Sequence, residues 1–191
     1  PTNYGSDTGA GGEVRGNYCT WNPLNKGSVV TTSDGNLKAQ LSSAAHNAIA
    51  GTIGASSGKY YWEVTTAGWN TAHEGPLIGV FGDTHQIATQ AGGTPSILYR
   101  ASGALLVNGS TAASGQTTWT IGDVIGVALD LDNNNITWYK NGSQMYQYTS
   151  VYSSVNSWLP AWKDSDSGGN AVANFGQRAW SYAPPSGYKA L

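Results

Sequence analysis

The sequence is short of charged residues and of long apolar runs, and each shortage excludes a class of protein. Only 10% of the 191 residues are charged, and the formal net charge is -2, whereas an average protein has about 25% charged residues. A nucleic-acid-binding protein would carry a basic stripe to neutralise phosphates, and none is present. No apolar run approaches the ~20 residues of a membrane helix, and no signal peptide is recognisable. We therefore expect no nucleic-acid partner and no membrane insertion.

Cysteine and histidine are equally scarce. The single Cys19 excludes an intrachain disulfide framework. His46, His73 and His85 lack the close spacing of helical or finger-type zinc sites. The sequence therefore predicts no metal site and no cofactor.

Glycine and two kinds of aromatic residue are abundant instead. The chain has 26 Gly, 8 Trp and 11 Tyr but only 2 Phe. Glycine-rich turns combined with Trp and Tyr are typical of many short strands rather than helices. A Trp or Tyr ring packs on its face and hydrogen-bonds at its edge, so these residues also suit a polar ligand.

The clearest structural signal is the stretch from Gly122 to Gly142, GDVIGVALDLDNNNITWYKNG. Its two apolar runs alternate with a strict period of two, which predicts strands with one face in a core. The other face would meet solvent or a second layer. Residues 132–135 supply the Asp and Asn that tolerate turn conformations. The stretch therefore predicts a β-hairpin.

Further strands follow from alternating or β-branched runs separated by turn residues. We predict them at residues 29–32, 37–41, 59–66, 76–82, 97–100, 104–107, 144–148, 158–162 and 171–175. Alanines at residues 44–50 suggest a helix, but the glycines that follow argue against it. Turns recur about every 8–12 residues, as in a β-sandwich. Residues 1–17 are polar and glycine-rich and predict a flexible arm or linker, while residues 18–191 form the domain, with Trp21, Pro23 and Leu24 as its first anchors.

Several of these segments, in this order, resemble the SPRY domain. They are KYYWEVTT, PLIGVFG, the Gly122–Gly142 hairpin, LPAW and NFGQRAWSYAPPSGYKAL. More narrowly, they resemble the form found near the ends of bacteriophage tail-fibre proteins, which opens with a strand like GTIGASSGKYYWEV. The resemblance covers residues 21–191. It implies an all-β fold of two antiparallel sheets packed as a bent, concanavalin A-like sandwich (a jelly roll), and a ligand held by loops at one rim.

Two acidic loops imitate metal sites. Asp130, Asp132 and Asn134 match the start of a calcium-binding EF-hand loop, but Asn135 and Asn141 stand where that loop needs Gly and Glu. A structural turn is therefore the favoured interpretation. Asp164 and Asp166 could bridge a calcium ion, but two carboxylates fall short of the six to eight oxygens it takes.

Polar and aromatic residues on predicted loops are the candidate ligand-binding residues. They form three patches: Trp69, Asn70, His73 and Glu74; Tyr99 and Arg100; and Trp162, Lys163, Asp164 and Asp166. In each, a ring would stack on a sugar while amide, cationic and carboxylate groups take its hydroxyls. The alternative is that the tryptophans are core residues. The position of Trp162 after a strand favours burial, whereas the polar loop around Trp69 favours exposure.

The leading functional hypothesis is a non-catalytic receptor-binding domain at the tip of a phage tail fibre. It would recognise a bacterial surface glycan or protein from the virion, as a homotrimer by analogy with fibres, and contact other tail-fibre chains. A second hypothesis is a protein-interaction or assembly module of the virion. The third is a polysaccharide-cleaving enzyme, which needs two carboxyl groups about 5 or 6.5–9.5 Å apart. Glu63 with Glu74 is the pair that the sequence offers.

Overall fold

The chain folds as a sandwich of two antiparallel sheets. The computed structural model describes residues 17–69, 75–87, 94–151 and 155–191. Within these ranges the elements are strands, and none is a helix that could cross a membrane. The all-β sandwich that the sequence predicted is therefore confirmed. Residues 1–16 lie outside the described ranges, and the N-terminal arm stays a prediction.

Seven strands form each sheet. The first sheet has the order β1-β4-β13-β6-β7-β8-β9 and the second β12-β11-β10-β5-β14-β3-β2. The strands are β1 Trp21–Lys26, β2 Val30–Ser33, β3 Lys38–Leu41, β4 Asn47–Gly51, β5 Lys59–Ala67, β6 Leu77–Gly82, β7 Ser96–Arg100, β8 Leu105–Val107, β9 Ser110–Ala113, β10 Val124–Asp130, β11 Asn135–Lys140, β12 Ser143–Tyr148, β13 Trp158–Asp164 and β14 Asn170–Asn174.

The predicted hairpin is confirmed as β10 and β11, paired from Ile125–Lys140 to Asp130–Asn135. Ile125, Val127 and Leu129 enter the core between the sheets. The opposite face of β10 is buried as well, so a second layer covers it instead of solvent. Part of this cover comes from the same sheet, since the outward-facing Tyr61 of the neighbouring strand β5 places its hydroxyl over Gly126.

The turn of this hairpin uses its carboxylates as acceptors of protein hydrogen bonds. Asn133 donates from its backbone N and side-chain Nδ2 to the Asp130 carboxylate, at 3.0 and 2.9 Å. Lys59 Nζ lies 3.0 Å from Asp130 Oδ2, and Gly58 N donates to Asp132 Oδ1 at 2.7 Å. Burial alone would raise the pKa of Asp130, but the bonds from Asn133 and Lys59 outweigh it and lower the pKa. The calcium-like motif therefore builds a turn.

Three strands were not predicted from the sequence: β1, β4 and β9. β1 and β9 are the edges of the first sheet, and β4 is the alanine-rich stretch that suggested a helix. β1 is interrupted by a register shift between Trp21 and Lys26. This irregularity leaves Leu24 94% exposed, so the expectation that Leu24 anchors the domain was wrong, while Trp21 is fully buried.

Tryptophan fills the space between the sheets. Trp21, Trp62, Trp138 and Trp162 are among the largest side chains that are fully buried, and Trp69, Trp119 and Trp158 are buried too. Trp21 packs edge-on against Phe175, with ring centroids 5.3 Å apart. Seven of the eight tryptophans are thus core residues, with Trp180 partly exposed. The tryptophan content that suggested a ligand-binding surface serves mainly to fill the core.

One tryptophan joins the two sheets by a hydrogen bond. Trp138 on β11 donates from Nε1 to the Ile78 carbonyl on β6 of the opposite sheet, at 2.9 Å. Both residues are fully buried. A hydrogen bond has a preferred direction, and this one is shielded from water. It therefore fixes the position of the sheets relative to each other as well as holding them together.

The C-terminal segment (residues 176–191) packs on the second sheet. Lys189 pairs with the start of β5, accepting from Tyr61 N at 2.9 Å. Glu63 of β5 is 3% exposed. Its carboxylate accepts the backbone N–H groups of Ser181 and Tyr182 at 2.9 and 2.8 Å. These charge-assisted bonds tie residues 181–182 to the outer face of the sheet.

The cross-sheet bond can be tested with two tryptophans in one row of the second sheet. Trp62 and Trp138 both pair with Val127 and are fully buried. The Trp62 Nε1 has no hydrogen-bond partner among the described residues. We expect Trp138→Phe to lower the free energy of unfolding by about 1 kcal/mol more than Trp62→Phe, because only the former loses a net hydrogen bond. Urea unfolding of both variants measures the difference, and equal losses would contradict the role of Trp138.

Candidate functional site

Loops from both sheets converge at one end of the sandwich, here called the rim (residues 42–46, 68–69, 101–104, 114–123 and 165–169). Backbone hydrogen bonds connect them. Leu41 and residues 168–169 exchange two, at 2.9 and 3.0 Å, and Trp119 N donates to the Ala101 carbonyl at 3.1 Å. Gly122 N donates to the Thr66 carbonyl at 3.1 Å. The rim is therefore one connected surface on a rigid scaffold, the usual arrangement for a binding loop cluster.

Glycine permits a close backbone approach within the rim. Gly68 has φ +78°, and a Cβ added there would lie 2.4 Å from the Gly168 carbonyl oxygen. A side chain at this position would both strain the backbone and push the 165–169 loop away. The loop after β5 and the loop after β13 therefore depend on Gly68 for their contact.

Trp69 lies inside the rim rather than on it. It is 6% exposed, and its ring packs edge-on against Trp119, with centroids 5.4 Å apart. The expectation that its polar loop leaves Trp69 exposed was wrong, because Trp119 comes from a loop fifty positions further along the chain and covers it. Trp69 therefore cannot offer a flat face to a sugar, and together with Trp119 it supports the rim from below.

The rings of Tyr99 and Trp162 are buried between the sheets. Both have no exposed surface, and the Tyr99 hydroxyl donates to the Thr117 carbonyl at 2.7 Å. Burial and the neighbouring Tyr146 raise the pKa of Tyr99 to about 12. The burial of Trp162 agrees with the alternative that its ring is a core residue. The Tyr99 ring is a core residue as well, which corrects the prediction that it faces a ligand. Inward-facing strand positions place both rings in the core.

Asp164 and Asp166 shape the loop after β13. Asp164 Oδ1 accepts the backbone N–H groups of Ser165 and Asp166 at 2.7 and 3.4 Å, as Asp does in tight turns. Both carboxylates are buried. Among the described residues, no group of three or more His, Cys, Asp or Glu side chains could hold a metal ion. The structure thus gives these two aspartates a part in the conformation of the rim.

Arg100 and Lys163 form a cationic pair at the rim end of the first sheet. Both pair with Leu77, Arg100 from β7 and Lys163 from β13. Residues on either side of this row, including Ile78 and Trp162, face the core, so the row faces outward. Burial and, secondly, the charge of Arg100 lower the pKa of Lys163. The structure shows no carboxylate partner for Lys163 in the described ranges.

The remaining predicted site residues are Asn70, His73 and Glu74. They lie outside the described residues, between the buried Trp69 and β6 in the sequence. Their part in a ligand site stays a prediction.

Glu63, the described half of the possible catalytic pair, has a structural role. Its Oε1 accepts from Tyr182 N and, at 3.4 Å, from the Tyr61 hydroxyl, and its Oε2 accepts from Ser181 N. The sequence shows an acid on a strongly aromatic strand, which indicates that donors must reach it. It does not show that they come from 118 positions away. The role of Trp119 was not predicted either, because its partner Trp69 is also distant in the chain.

The role of Trp69 can be tested by truncation. We expect Trp69→Ala to lower the free energy of unfolding by about 3–5 kcal/mol, because it empties a large buried site beside Trp119. Leu24→Ala is the control, since Leu24 is exposed and should change stability by less than about 0.5 kcal/mol. Chemical denaturation measures both. A Trp69→Ala variant as stable as the parent would show that the ring is not part of the core.

Known proteins that resemble this chain share its fold. Residues 59–161 match the SPRY domain family. Solved structures with the same fold are the SPRY domain of human HERC1 (TM-score 0.68, 23% identity, 80% of this chain and 96% of that one) and the PSpry domain of TRIM65 (0.62, 14%, 83% and 92%). Stonustoxin matches over 82% of this chain and 27% of its own, with a TM-score of 0.61 and 18% identity.

No curated protein matches the sequence. The matched segment extends from the first residue of β5 to Ala161 in β13 and includes the β10–β11 hairpin, so it covers more than half of the chain. SPRY domains are generally non-catalytic modules of protein–protein interaction. On its matched segment and its sandwich fold, the chain belongs to the SPRY domain family.

Proposed function

We propose that this SPRY domain is a non-catalytic recognition module that binds its ligand at the rim. The observation that supports this best is the convergence of loops from both sheets on one connected surface, with Arg100 and Lys163 on either side of Leu77 at its border. The loop residues on a rigid sandwich can be substituted without disturbing the core. The fold alone does not fix the ligand, so the chemistry of the rim must indicate it.

The rim suits a ligand that offers oxygen acceptors. Lys163 is held partly desolvated next to Arg100, and a cation in such a place gains more from an anionic or carbonyl oxygen than one in free solvent. The loop residues 42–46 and 114–118 contribute mainly hydroxyl and amide groups. Asn70, His73 and Glu74 stay predicted members of this site. The buried rings of Trp69, Tyr99 and Trp162 support it and do not stack on the ligand.

We further propose that the ligand is a bacterial surface glycan or protein and that the domain is displayed on a phage tail fibre. This proposal rests on the resemblance of residues 21–191 to the tail-fibre form of the domain. Display as a trimer on a fibre would raise the avidity of weak single sites without new contacts. The alternative is docking to another virion protein, which the family's general role in protein interaction favours.

Binding to whole bacteria tests the rim. We expect Arg100→Ala and Lys163→Ala each to weaken binding to host cells about tenfold, the effect of losing one charge-assisted hydrogen bond. Lys38→Ala is the matched control: it also removes one positive charge, but at the end of β3 away from the rim. Flow cytometry with the labelled domain measures the affinities.

Three outcomes separate the possibilities. Reduced binding by both rim variants and not by Lys38→Ala supports the rim as the receptor site. Unchanged binding by all three variants would exclude it. A domain that binds no host cells but captures a purified virion protein would contradict the receptor role and support the docking alternative.

A further inference from the structure

A second polar cleft lies away from the rim, on the outer face of the second sheet. Its floor consists of two cross-strand pairs, Glu63 with Asn174 and Thr65 with Val172. Residues 178–181 of the C-terminal segment form its wall. The cleft measures about 160 Å³, which corresponds to roughly five water molecules at ~30 Å³ each. One ring-sized chemical group fits this space.

Asn174 holds the wall in place and has no capacity left for a ligand. Its Nδ2 donates to the carbonyls of Arg178 and Ala179 at 3.2 and 3.1 Å. Its Oδ1 accepts from the backbone N–H groups of Gly176 and Arg178 at 3.1 and 3.3 Å. An amide side chain offers two donors and two lone pairs, so all four are used. The cleft is therefore a preformed feature of the β14 end, not a gap between mobile parts.

Four polar groups of the cleft retain unused capacity. Glu63 Oε2 accepts one hydrogen bond in the described structure, from Ser181 N, and a carboxylate oxygen has a second lone pair. The side chains of Thr65, Arg178 and Ser181 make no hydrogen bond or ion pair with the described residues. A buried acceptor, two hydroxyls and a guanidinium thus line one small space.

The mixture of charges selects the ligand. An anion would be attracted by Arg178 but repelled by the buried carboxylate of Glu63. A cation would be attracted by Glu63 but repelled by Arg178. A hydroxyl group donates and accepts at once, so neighbouring hydroxyls satisfy the carboxylate and the guanidinium together. We propose that this cleft binds one neutral, polyhydroxylated ring, that is, a single sugar residue. The proposal concerns a site separate from the rim and rests on the receptor-binding function only for the origin of the sugar as part of a surface glycan.

NMR titration of the ¹⁵N-labelled chain tests the cleft directly. The probes are the neutral sugars glucose, galactose, mannose, rhamnose and N-acetylglucosamine, each added to millimolar concentration. We expect at least one of them to cause saturable shifts of the Thr65 and Ser181 amides. Arg178→Ala and Thr65→Val should weaken that sugar about tenfold and a few-fold, because they remove a charge-assisted and a neutral hydrogen bond. Neither side chain takes part in the bonds that hold residues 181–182.

Lys26→Ala is the control, since it removes one positive charge at the edge of the first sheet and should leave the sugar affinity unchanged. The absence of saturable cleft shifts with all five sugars would overturn the proposal. So would shifts produced by guanidinium or acetate ions in place of the sugars. If the chain binds a sugar in the cleft but binds no bacterial cells, the receptor function is contradicted and the cleft proposal is not. If it binds bacterial cells but no sugar in the cleft, only the cleft proposal is contradicted.

Discussion

The relative position of the two sheets depends in part on the hydrogen bond from Trp138 to the Ile78 carbonyl, because it connects β11 with β6 in the middle of an apolar core. Burial of apolar surface drives the sheets together but has no preferred direction. The hydrogen bond from Trp138 Nε1 does have a preferred direction. It sets β11 against β6, and β6 carries the row of Leu77 that places Arg100 and Lys163 at the rim. The geometry of the candidate site therefore follows from the core.

Scarce charge gives each charged residue a defined position. Asp130 and Asp132 accept donors at the hairpin turn, and Glu63 accepts residues 181–182. These carboxylates stabilise local conformation, and the two buried ones, Asp130 and Glu63, need their donors because an unpaired buried charge is costly. Two of the cations are different. Lys163 and Arg178 make no ion pair within the described ranges, and they mark the two places where a ligand would complete the polar contacts.

The sequence predicted the elements whose pattern is local and missed those that depend on distant partners. The Gly122–Gly142 hairpin was predictable because its alternation and its Asn-rich turn lie within 21 residues, and Asn134 and Asn141 adopt the positive φ that the turns require. Edge strand β1 was not predictable, since Pro23 and its register shift hide the alternation. Trp69 looked exposed because nothing nearby in the chain shows that Trp119 covers it. Local sequence gives the composition of a candidate site, while its accessible surface depends on the tertiary fold.

We propose that a receptor binds the rim loops and not the buried aromatic residues or the edge strands. Hydrogen exchange of the domain, free and bound to envelope polysaccharide from a strain that it adheres to, tests this most directly. Amides that are covered by a ligand exchange more slowly. We expect slower exchange at residues 101–104, 114–123 and 165–169 in the bound domain, with the edge strands β9 and β12 unchanged. Unchanged exchange at all three rim loops, with protection confined to an edge strand, would contradict it.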